Sequence, residues 1–370
     1  MNGLGLHEFH DGLGAQFAEV AGAEVVLHYG DPLAEHAALR RSAGVLDLSF
    51  RGRLCILGAD RTRFLHGQVT NNIKELKPGA GCYAAVTTNK GKLQADLSIY
   101  CLADELLLDF EPGLTAKITE RLGKFVVADD AQMVDVAPHY GLLSVQGPQA
   151  AEVMGALGIF PALPEKSCQS VKASEPMLGD IYLVNQPRIG SAGFDLFVPV
   201  AAMGAVADKL IAAAKQSGGR ACGWSALEVA RIEAGIPRFG ADMDETNLPQ
   251  EAGIESRAVS FTKGCYIGQE VINRVRTIGH VSRALRGLRL PDALPALPAR
   301  GDKLFHEGKE VGHVTSAAAS PSLRANIALG YVRKECNAIG TELTLRNESG
   351  EWPVKVETLP FIAAGNLPVK

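Results

Sequence analysis

Apolar and polar positions alternate along residues 93–100. The apolar set is Leu93, Ala95, Leu97 and Ile99, and the polar set is Gln94, Asp96, Ser98 and Tyr100. A period of two predicts a β-strand with one apolar face and one polar face. The preceding residues 89–92, Asn-Lys-Gly-Lys, are typical of a hairpin turn. The pattern therefore predicts a strand that buries one face and presents the carboxyl group of Asp96 on the other.

Helix-start signals occur at several points. Asp31 and Pro32 can form an N-cap and a first helical residue, because Asp accepts from free backbone N–H groups and Pro has none to leave unpaired. Gly44 is a typical stop for this helix. Ser225 and Glu228 have the spacing of a capping box, in which each side chain pairs with the other residue's N–H. Further helices are predicted after Asp60 and Pro148, and over 112–123 and 201–216.

Strand signals divide the chain into regions. Apolar runs predict strands at 54–57, 105–110, 142–146, 181–184 and 194–198. Residues 160–180 are Pro-rich without a period, so we expect a long surface connection there. From Leu285 onward, short strands separated by Gly and Pro turns indicate a small all-β barrel.

Composition narrows the class of protein. The chain has 370 residues, 46% of them hydrophobic and 21% charged, with a formal net charge of -4. These values are typical of a globular protein of two or three domains, and they argue against a strongly basic nucleic-acid binder. No apolar run approaches the ~18 residues of a membrane span, and no secretory signal is visible. We therefore expect a cytoplasmic protein without nucleic-acid or membrane partners.

Seven cysteines are scattered along the chain with no CxxC pair. They are Cys55, Cys82, Cys101, Cys168, Cys222, Cys265 and Cys336. The number is odd and the spacing irregular, which is typical of reduced thiols and shows no zinc or cluster-binding pattern. We therefore predict no metal site.

Cys265 stands out because it lies in the segment Lys263-Gly-Cys-Tyr-Ile-Gly-Gln-Glu270, ahead of a helix-like stretch. A helix N-terminus and the ammonium of Lys263 would both favour the thiolate. Such a thiolate can be a nucleophile, a redox centre or a metal ligand. The alternative is a small buried cysteine in a tight turn.

Three other features can carry chemistry. Asp96 can be a general base or hold a substrate nitrogen, or it can belong to a solvated strand face. Asp195 follows a Gly-containing turn and can clamp a guanidine-like heterocycle such as a pterin, or it can be a surface carboxylate. A set of arginines can grip an anionic tail or form a solvated face. This set is Arg231, Arg274, Arg276, Arg283, Arg286 and Arg289.

Together these segments resemble the glycine-cleavage T-protein superfamily. The resemblance rests on residues 28–36 and 44–49, Val145-Gln-Gly-Pro148, Arg231-Ile-Glu-Ala-Gly235, and residues 312–316, 320–323 and 327–332. It implies an α+β fold: a three-domain ring with two interleaved α+β domains and a C-terminal antiparallel β-barrel. The implied domains are 1–50 with 140–240, then 51–139, a motif-bearing connection 241–284, and the barrel 285–370.

The resemblance also implies a central site for tetrahydrofolate or a one-carbon derivative. Asp96 matches the catalytic aspartate of T-proteins, and Arg231 matches an arginine of the same cavity. Asp195 stands where these proteins have a pterin-clamping Glu, so its reach is one methylene shorter. Tyr100 is expected on the cavity wall, and Lys263 and Gln269 of the cysteine motif are counted among the folate-binding residues.

Within this superfamily, residues 263–270 and 64–72 resemble the YgfZ-type branch. These proteins bind folate and support assembly or repair of iron–sulfur clusters. The primary hypothesis is therefore a YgfZ-like protein with Cys265 as the chemical residue, and with iron–sulfur proteins as possible clients. The alternative is an enzyme, an aminomethyltransferase or demethylase, in which Asp96 is catalytic.

Overall fold

The computed structural model describes residues 3–363. Its strands are β1 (Gln16–Val20), β2 (Ala23–His28), β3 (Gly44–Asp47), β4 (Gly52–Leu57), β5 (Gly81–Thr87), β6 (Leu93–Cys101), β7 (Leu106–Phe110), β8 (Gln132–Asp135), β9 (Tyr140–Gln146), β10 (Ser170–Glu175), β11 (Gly179–Asn185), β12 (Gly193–Pro199), β13 (Arg220–Ala221), β14 (Arg283–Arg289), β15 (Lys303–His306), β16 (Lys309–Ser320), β17 (Ala325–Arg333), β18 (Glu342–Asn347) and β19 (Gly350–Glu357).

The α-helices are shorter and lie between the strands. They are α1 (His7–Gly12), α2 (Pro32–Arg41), α3 (Arg61–Gln68), α4 (Thr115–Gly123), α5 (Ala150–Ala156), α6 (Met203–Gln216), α7 (Trp224–Glu233), α8 (Glu255–Ala258) and α9 (Gln269–Ile278). Two short 3₁₀ turns cover Val200–Ala202 and Lys334–Cys336. Within residues 3–363, no helix is long and apolar enough to cross a membrane.

Two large sheets, together with the two-stranded sheet β1-β2, lie in the N-terminal two-thirds of the chain. The first has the order β10-β11-β12-β9-β3-β13 and is antiparallel except where β13 runs parallel to β3. The second is fully antiparallel, in the order β5-β6-β7-β4-β8. Because β3 lies in the first sheet and β4 to β8 form the second, the chain leaves the first sheet and returns to it. The interleaving implied by the resemblance is confirmed.

Residues from Arg283 onward form a closed six-stranded barrel in the order β14-β17-β16-β15-β18-β19. All of its neighbouring strands are antiparallel, and its interior is filled by buried aliphatic residues. The α+β class with a C-terminal antiparallel barrel is therefore confirmed. The domain boundaries given above stay a prediction.

A shared apolar core joins the two sheets. It combines residues of α2, β3, β4, β7, β9 and α7. Tyr100 of β6 and Phe197 of β12 meet in this core with their ring centroids 5.8 Å apart. The two sheets are thus packed on each other, and the space left between their ends is available for a site.

Most local predictions hold, and two need correction. Asp31 caps α2 by accepting from the backbone N–H of Ala34 at 2.9 Å, as its sequence context predicts. The expected surface connection at 160–180 instead contains β10 and the start of β11. The expected capping box at Ser225 and Glu228 is absent, because the N-cap of α7 is Gly223, two residues before Ser225, and no side chain makes a cap bond there.

Candidate active site

A cavity of about 490 Å³ opens between the two sheets and the N-terminal part of α7. Its wall combines residues from β5, β6 and α7 with connecting segments of both sheets. The lining residues are Leu48, Phe50, Arg51, Asn71, Gly81, Cys82, Tyr83, Asp96, Ser98, Glu111, Ser167, Cys168, Gln186, Pro187, Arg188, Trp224, Leu227, Glu228, Arg231, Ile236, Pro237, Arg238 and Arg257. Two of the predicted site residues, Asp96 and Arg231, therefore lie on one cavity.

Asp96 is held with one oxygen fixed and the other free. The hydroxyl of Tyr83, on the neighbouring strand β5, donates to Asp96 Oδ2 at 2.9 Å. Asp96 Oδ1 is buried and has no hydrogen-bond partner among residues 3–363. Burial, with a smaller contribution from the negative charge of Glu111, raises the pKa of Asp96 from 3.8 to about 6. The carboxyl group can therefore exchange a proton near neutral pH.

Paired charges form one wall of the cavity. Glu111 accepts from Arg51 through one carboxylate oxygen and from Arg238 through the other, the latter at 3.2 Å. The guanidinium of Arg238 also stacks over the ring of Trp224, 4.8 Å from its centroid. Since each group is paired, this wall carries charge at fixed positions, and its two nearest charges act on the pKa of Asp96 in opposite directions: Glu111 raises it and Arg51 lowers it.

Arg231 is fixed from three directions. It donates to Asp242 on the connection after α7, to Glu228 at 2.8 Å, and to Ser316 of the barrel strand β16 at 2.8 Å. The two acids keep the pKa of the Arg231 guanidinium above its usual range despite burial. Arg231 thus ties α7 to the barrel while it lines the cavity.

Asp195 does not reach the cavity, because Arg188 covers it. Arg188 Nε lies 3.0 Å and Nη2 2.6 Å from Asp195 Oδ2, and the same guanidinium donates to Asp109 at 2.8 Å. Asp195 is fully buried, and burial raises the pKa of its carboxyl group. The group that faces the cavity here is therefore a cation, whereas the sequence predicted a carboxylate.

Tyr100 lies behind the wall. Its side chain is fully buried in the core that joins the sheets, and its hydroxyl has no partner among the described residues. Burial holds the pKa of Tyr100 well above its usual value. The structure thus places Tyr100 beneath the cavity and does not bring it to the surface of the wall.

The cysteine motif forms a separate exposed loop. Cys265 is exposed, but α9 starts four residues later at Gln269, so the thiol is not in the first helical turn. Lys263 is buried, and its ammonium donates to the carbonyls of His66, Val69 and Asn71 at 2.5–2.9 Å. Burial lowers the pKa of Lys263 to about 8. Lys263 therefore anchors a neighbouring loop, and neither it nor Gln269 lines the cavity wall described above.

Several cavity residues have no marker in the sequence. Tyr83 reaches Asp96 because strand β5 pairs with strand β6. Arg188 lies on the cavity wall, where it folds back onto Asp195. Trp224 and Phe50 meet edge to face with centroids 5.5 Å apart.

Comparison with known proteins identifies the family. A family model described as the GCVT N-terminal domain matches residues 6–263, and one described as the glycine cleavage T-protein C-terminal barrel domain matches residues 283–362. The chain belongs to the glycine-cleavage T-protein family.

Proteins named aminomethyltransferase resemble nearly the whole chain. The aminomethyltransferase of Saccharopolyspora erythraea is 31% identical over 96% of both chains, and that of Streptomyces coelicolor is 30% identical over 95% of both. The crystal structure of glycine cleavage system aminomethyltransferase T from Bartonella henselae superposes with a TM-score of 0.88, at 26% identity and 98% coverage of each chain. These relatives support the superfamily and favour the enzyme alternative over the YgfZ-type hypothesis.

Proposed function

We propose that this chain is a tetrahydrofolate-dependent aminomethyltransferase, a one-carbon transferase that binds reduced folate in the central cavity. The single observation that carries the proposal is Asp96, a carboxyl group with one oxygen fixed by Tyr83 and the other unpartnered. It lines a cavity in a chain whose relatives are aminomethyltransferases. We also propose a cytoplasmic location.

The cavity suits a flat, polar heterocycle. Phe50, Tyr83 and Trp224 supply aromatic surface, and the carboxyl group of Asp96 supplies a hydrogen-bond acceptor. A reduced pterin has both features, a planar part for the rings and N–H groups for the carboxylate.

Asp96 has the properties that the transfer requires. Tetrahydrofolate supplies the nitrogen that accepts the carbon unit. A nitrogen that forms a new bond to carbon must lose its proton, and a positioned carboxylate is a suitable acceptor. The Asp96 carboxylate, which the Tyr83 hydroxyl positions through Oδ2, is the proton acceptor in this proposal. The ionised form is required, so activity rises with pH through about 6.

Recognition of the pterin by Asp195 is not part of this proposal. Arg188 occupies both oxygens of Asp195 and separates it from the cavity. The carboxylates that face the cavity besides Asp96 are Glu111 and Glu228. Either of these can accept from the exocyclic amino group of a pterin, since a carboxylate has about four lone-pair positions.

Binding is tested by calorimetric titration with folinic acid, a stable reduced folate. A ligand at a hundredfold excess over its dissociation constant stabilises the folded protein by ~2.7 kcal/mol, which a thermal-shift assay detects. We expect saturable binding that competes with tetrahydrofolate. Absence of binding at millimolar folinic acid would refute the proposal.

A second candidate function rests on Cys265. Its exposure within the segment 263–270 is what an accessible reactive thiol needs, and that segment resembles the YgfZ-type branch. In this alternative the protein supports iron–sulfur clusters in client proteins without turning over a one-carbon substrate. A deletion strain assayed for cluster-enzyme activities and for glycine cleavage discriminates the two functions. Rescue of the cluster enzymes alone, lost in Cys265→Ala, favours the second candidate.

A further inference from the structure

A second cavity, of about 510 Å³, lies beside the barrel and shares no lining residue with the central cavity. Its wall combines the start of β14, part of β16 and the end of β17 with one residue of the connection that follows α7. The charged lining residues are Glu251, Arg283, Glu310, Arg333 and Glu335. A wall with so many charged groups suits a small polar ligand.

Two arginines meet on this wall. Arg283 begins β14 and lies directly opposite Arg333, which ends β17, in the antiparallel register of the two strands. Cβ atoms at such positions are ~5 Å apart, and like charges placed there repel each other. Arg283 turns towards Glu251, with Nε 3.3 Å from Oε1, whereas Arg333 is exposed and has no ion-pair partner among the described residues. An unneutralised cation therefore lies beside a paired one.

Glu251 places a buried carboxylate on the same wall. Its side chain is 6% exposed, and its Oε2 accepts from the backbone N–H of Leu248 at 2.8 Å and lies 3.6 Å from the ammonium of Lys92. Oε1 accepts from Arg283 alone among the described residues, at a distance near the long end of the hydrogen-bond range. A carboxylate oxygen has two acceptor positions, so Oε1 has room for a further donor such as an ammonium group.

The neighbouring groups do not neutralise Arg333. Glu310 forms an ion pair with Lys303 at 2.9 Å. Burial lowers the pKa of His313, and the nearby Arg283 lowers it further, so the imidazole is neutral at physiological pH. The wall therefore offers an unpaired cation and an incompletely satisfied carboxylate together, and a ligand with a single charge cannot complement both.

We propose that this cavity binds an α-amino acid, with the ammonium group of the ligand on Glu251 and its carboxylate on Arg333. An amino acid carries both groups on one carbon, and Arg283 adjoins both of the residues that would hold them. A guanidinium binds a carboxylate through two parallel hydrogen bonds, and a bound carboxylate also reduces the repulsion between the two arginines. The site lies outside the central cavity, so this inference goes beyond the proposed folate function and does not rest on it.

The test compares ligands that differ in one charged group. L-Alanine has both groups, propionate lacks the ammonium group, and L-alaninamide lacks the carboxylate. Each is titrated by calorimetry into the parent protein, Arg333→Gln, Glu251→Gln and Arg289→Gln. Arg289 lies at the other end of β14, outside the cavity, and has no ion-pair partner among the described residues, so it is the matched control.

The parent protein should bind L-alanine with a dissociation constant in the millimolar range, because exposed charges contribute little each. Propionate and L-alaninamide should bind at least about tenfold more weakly. Arg333→Gln should weaken L-alanine binding about threefold to tenfold, and Glu251→Gln about tenfold or more, because its carboxylate is buried. Arg289→Gln should bind L-alanine as the parent does.

Glu251 also holds a backbone N–H, so thermal denaturation checks the fold of Glu251→Gln, and the exposed Arg333→Gln carries the test if that variant unfolds. Absence of saturable binding by the parent at tens of millimolar L-alanine would overturn the inference. Propionate or inorganic phosphate that binds as tightly as L-alanine would make this a site for anions alone and refute the amino-acid assignment. Binding of L-alanine that survives in both wall variants would place the ligand elsewhere and refute it as well.

Discussion

Replacement of Asp96 by asparagine should stabilise the folded protein at neutral pH while it abolishes transfer. The carboxyl group is held away from water, and the carbonyl oxygen of an asparagine can still accept from the Tyr83 hydroxyl. The variant therefore keeps the hydrogen bond to Tyr83 and removes only the ionisation. Opposite effects on stability and activity are typical of a residue retained for function.

The magnitude follows from the change in pKa. Folding raises the pKa of Asp96 from 3.8 to about 6. Between these pH values the folded protein binds more protons than the unfolded chain, so its stability falls as the pH rises. At ~1.4 kcal/mol per unit, ionisation of Asp96 costs about 3 kcal/mol above pH 6. The stability contributed by the neutral acid is fully present below pH 4.

The assay is urea-induced unfolding of the parent and Asp96→Asn at pH 4, 5, 6 and 7. The free energy of unfolding of the variant minus that of the parent should grow by about 2.4 kcal/mol across this range, because a small part of the total change already lies below pH 4. Asp292→Asn is the control, because this exposed carboxylate stays in water in both states. A difference that is constant with pH, or one that shrinks as pH rises, would refute the burial argument for Asp96.

Three further predictions address the fold and the cysteine motif. Glu233→Gln should lower the free energy of unfolding by about 3 kcal/mol or more in a urea titration, because it breaks the buried ion pair with Arg40. The control Glu351→Gln breaks an exposed pair and should cost less than about 1 kcal/mol in the same titration. Gly268→Ala should lower the free energy of unfolding by about 1–3 kcal/mol, measured by thermal denaturation, since the residue has φ +89° and an added Cβ would lie 2.5 Å from the carbonyl oxygen of Thr88. The control Gly264→Ala should be nearly neutral, because the atom nearest to its added Cβ is 3.9 Å away. Cys265 should be alkylated fastest of the seven thiols, because it is exposed and burial raises the pKa of the other six; mass spectrometry showing faster labelling elsewhere would contradict this.

The fold could be predicted where the signal is local. The cap at Asp31 and the alternation along β6 depend on neighbours in the chain, and both are found as expected. Strand β10 was missed because it lies at the edge of its sheet and has few apolar residues. Its conformation comes from pairing with β11, which a local pattern does not report.

The start of α7 shows a similar limit. Glu228 has the spacing of a capping residue, yet its carboxylate pairs with Arg231 one turn later and with Arg238 beyond the helix. The charge-assisted bonds between Glu228 and the two arginines are stronger than a bond from Glu228 to a free backbone N–H. Water can pair with that N–H instead. The spacing of Ser225 and Glu228 therefore predicted the helix correctly, but it predicted the wrong role for Glu228.

The candidate site was predicted only in part for the same reason. Asp96 and Arg231 could be named from a polar strand face and a family resemblance, and both line the cavity. Asp195 was expected there too, but Arg188, seven residues earlier, covers it once the turn closes. The wall arginines and aromatic rings come from segments distant in the chain, so only the folded structure brings them together.

The most direct test of the central claim is transfer by the purified protein. The chain is incubated with an aminomethylated lipoyl carrier protein and tetrahydrofolate, and the ammonia released as the carbon moves to folate is measured. We predict turnover that rises with pH through about 6 in the parent and falls at least about a hundredfold in Asp96→Asn, with folinic acid binding present in the parent. Folinic acid binding without any ammonia release by the parent, or equal release by both proteins, would contradict the account.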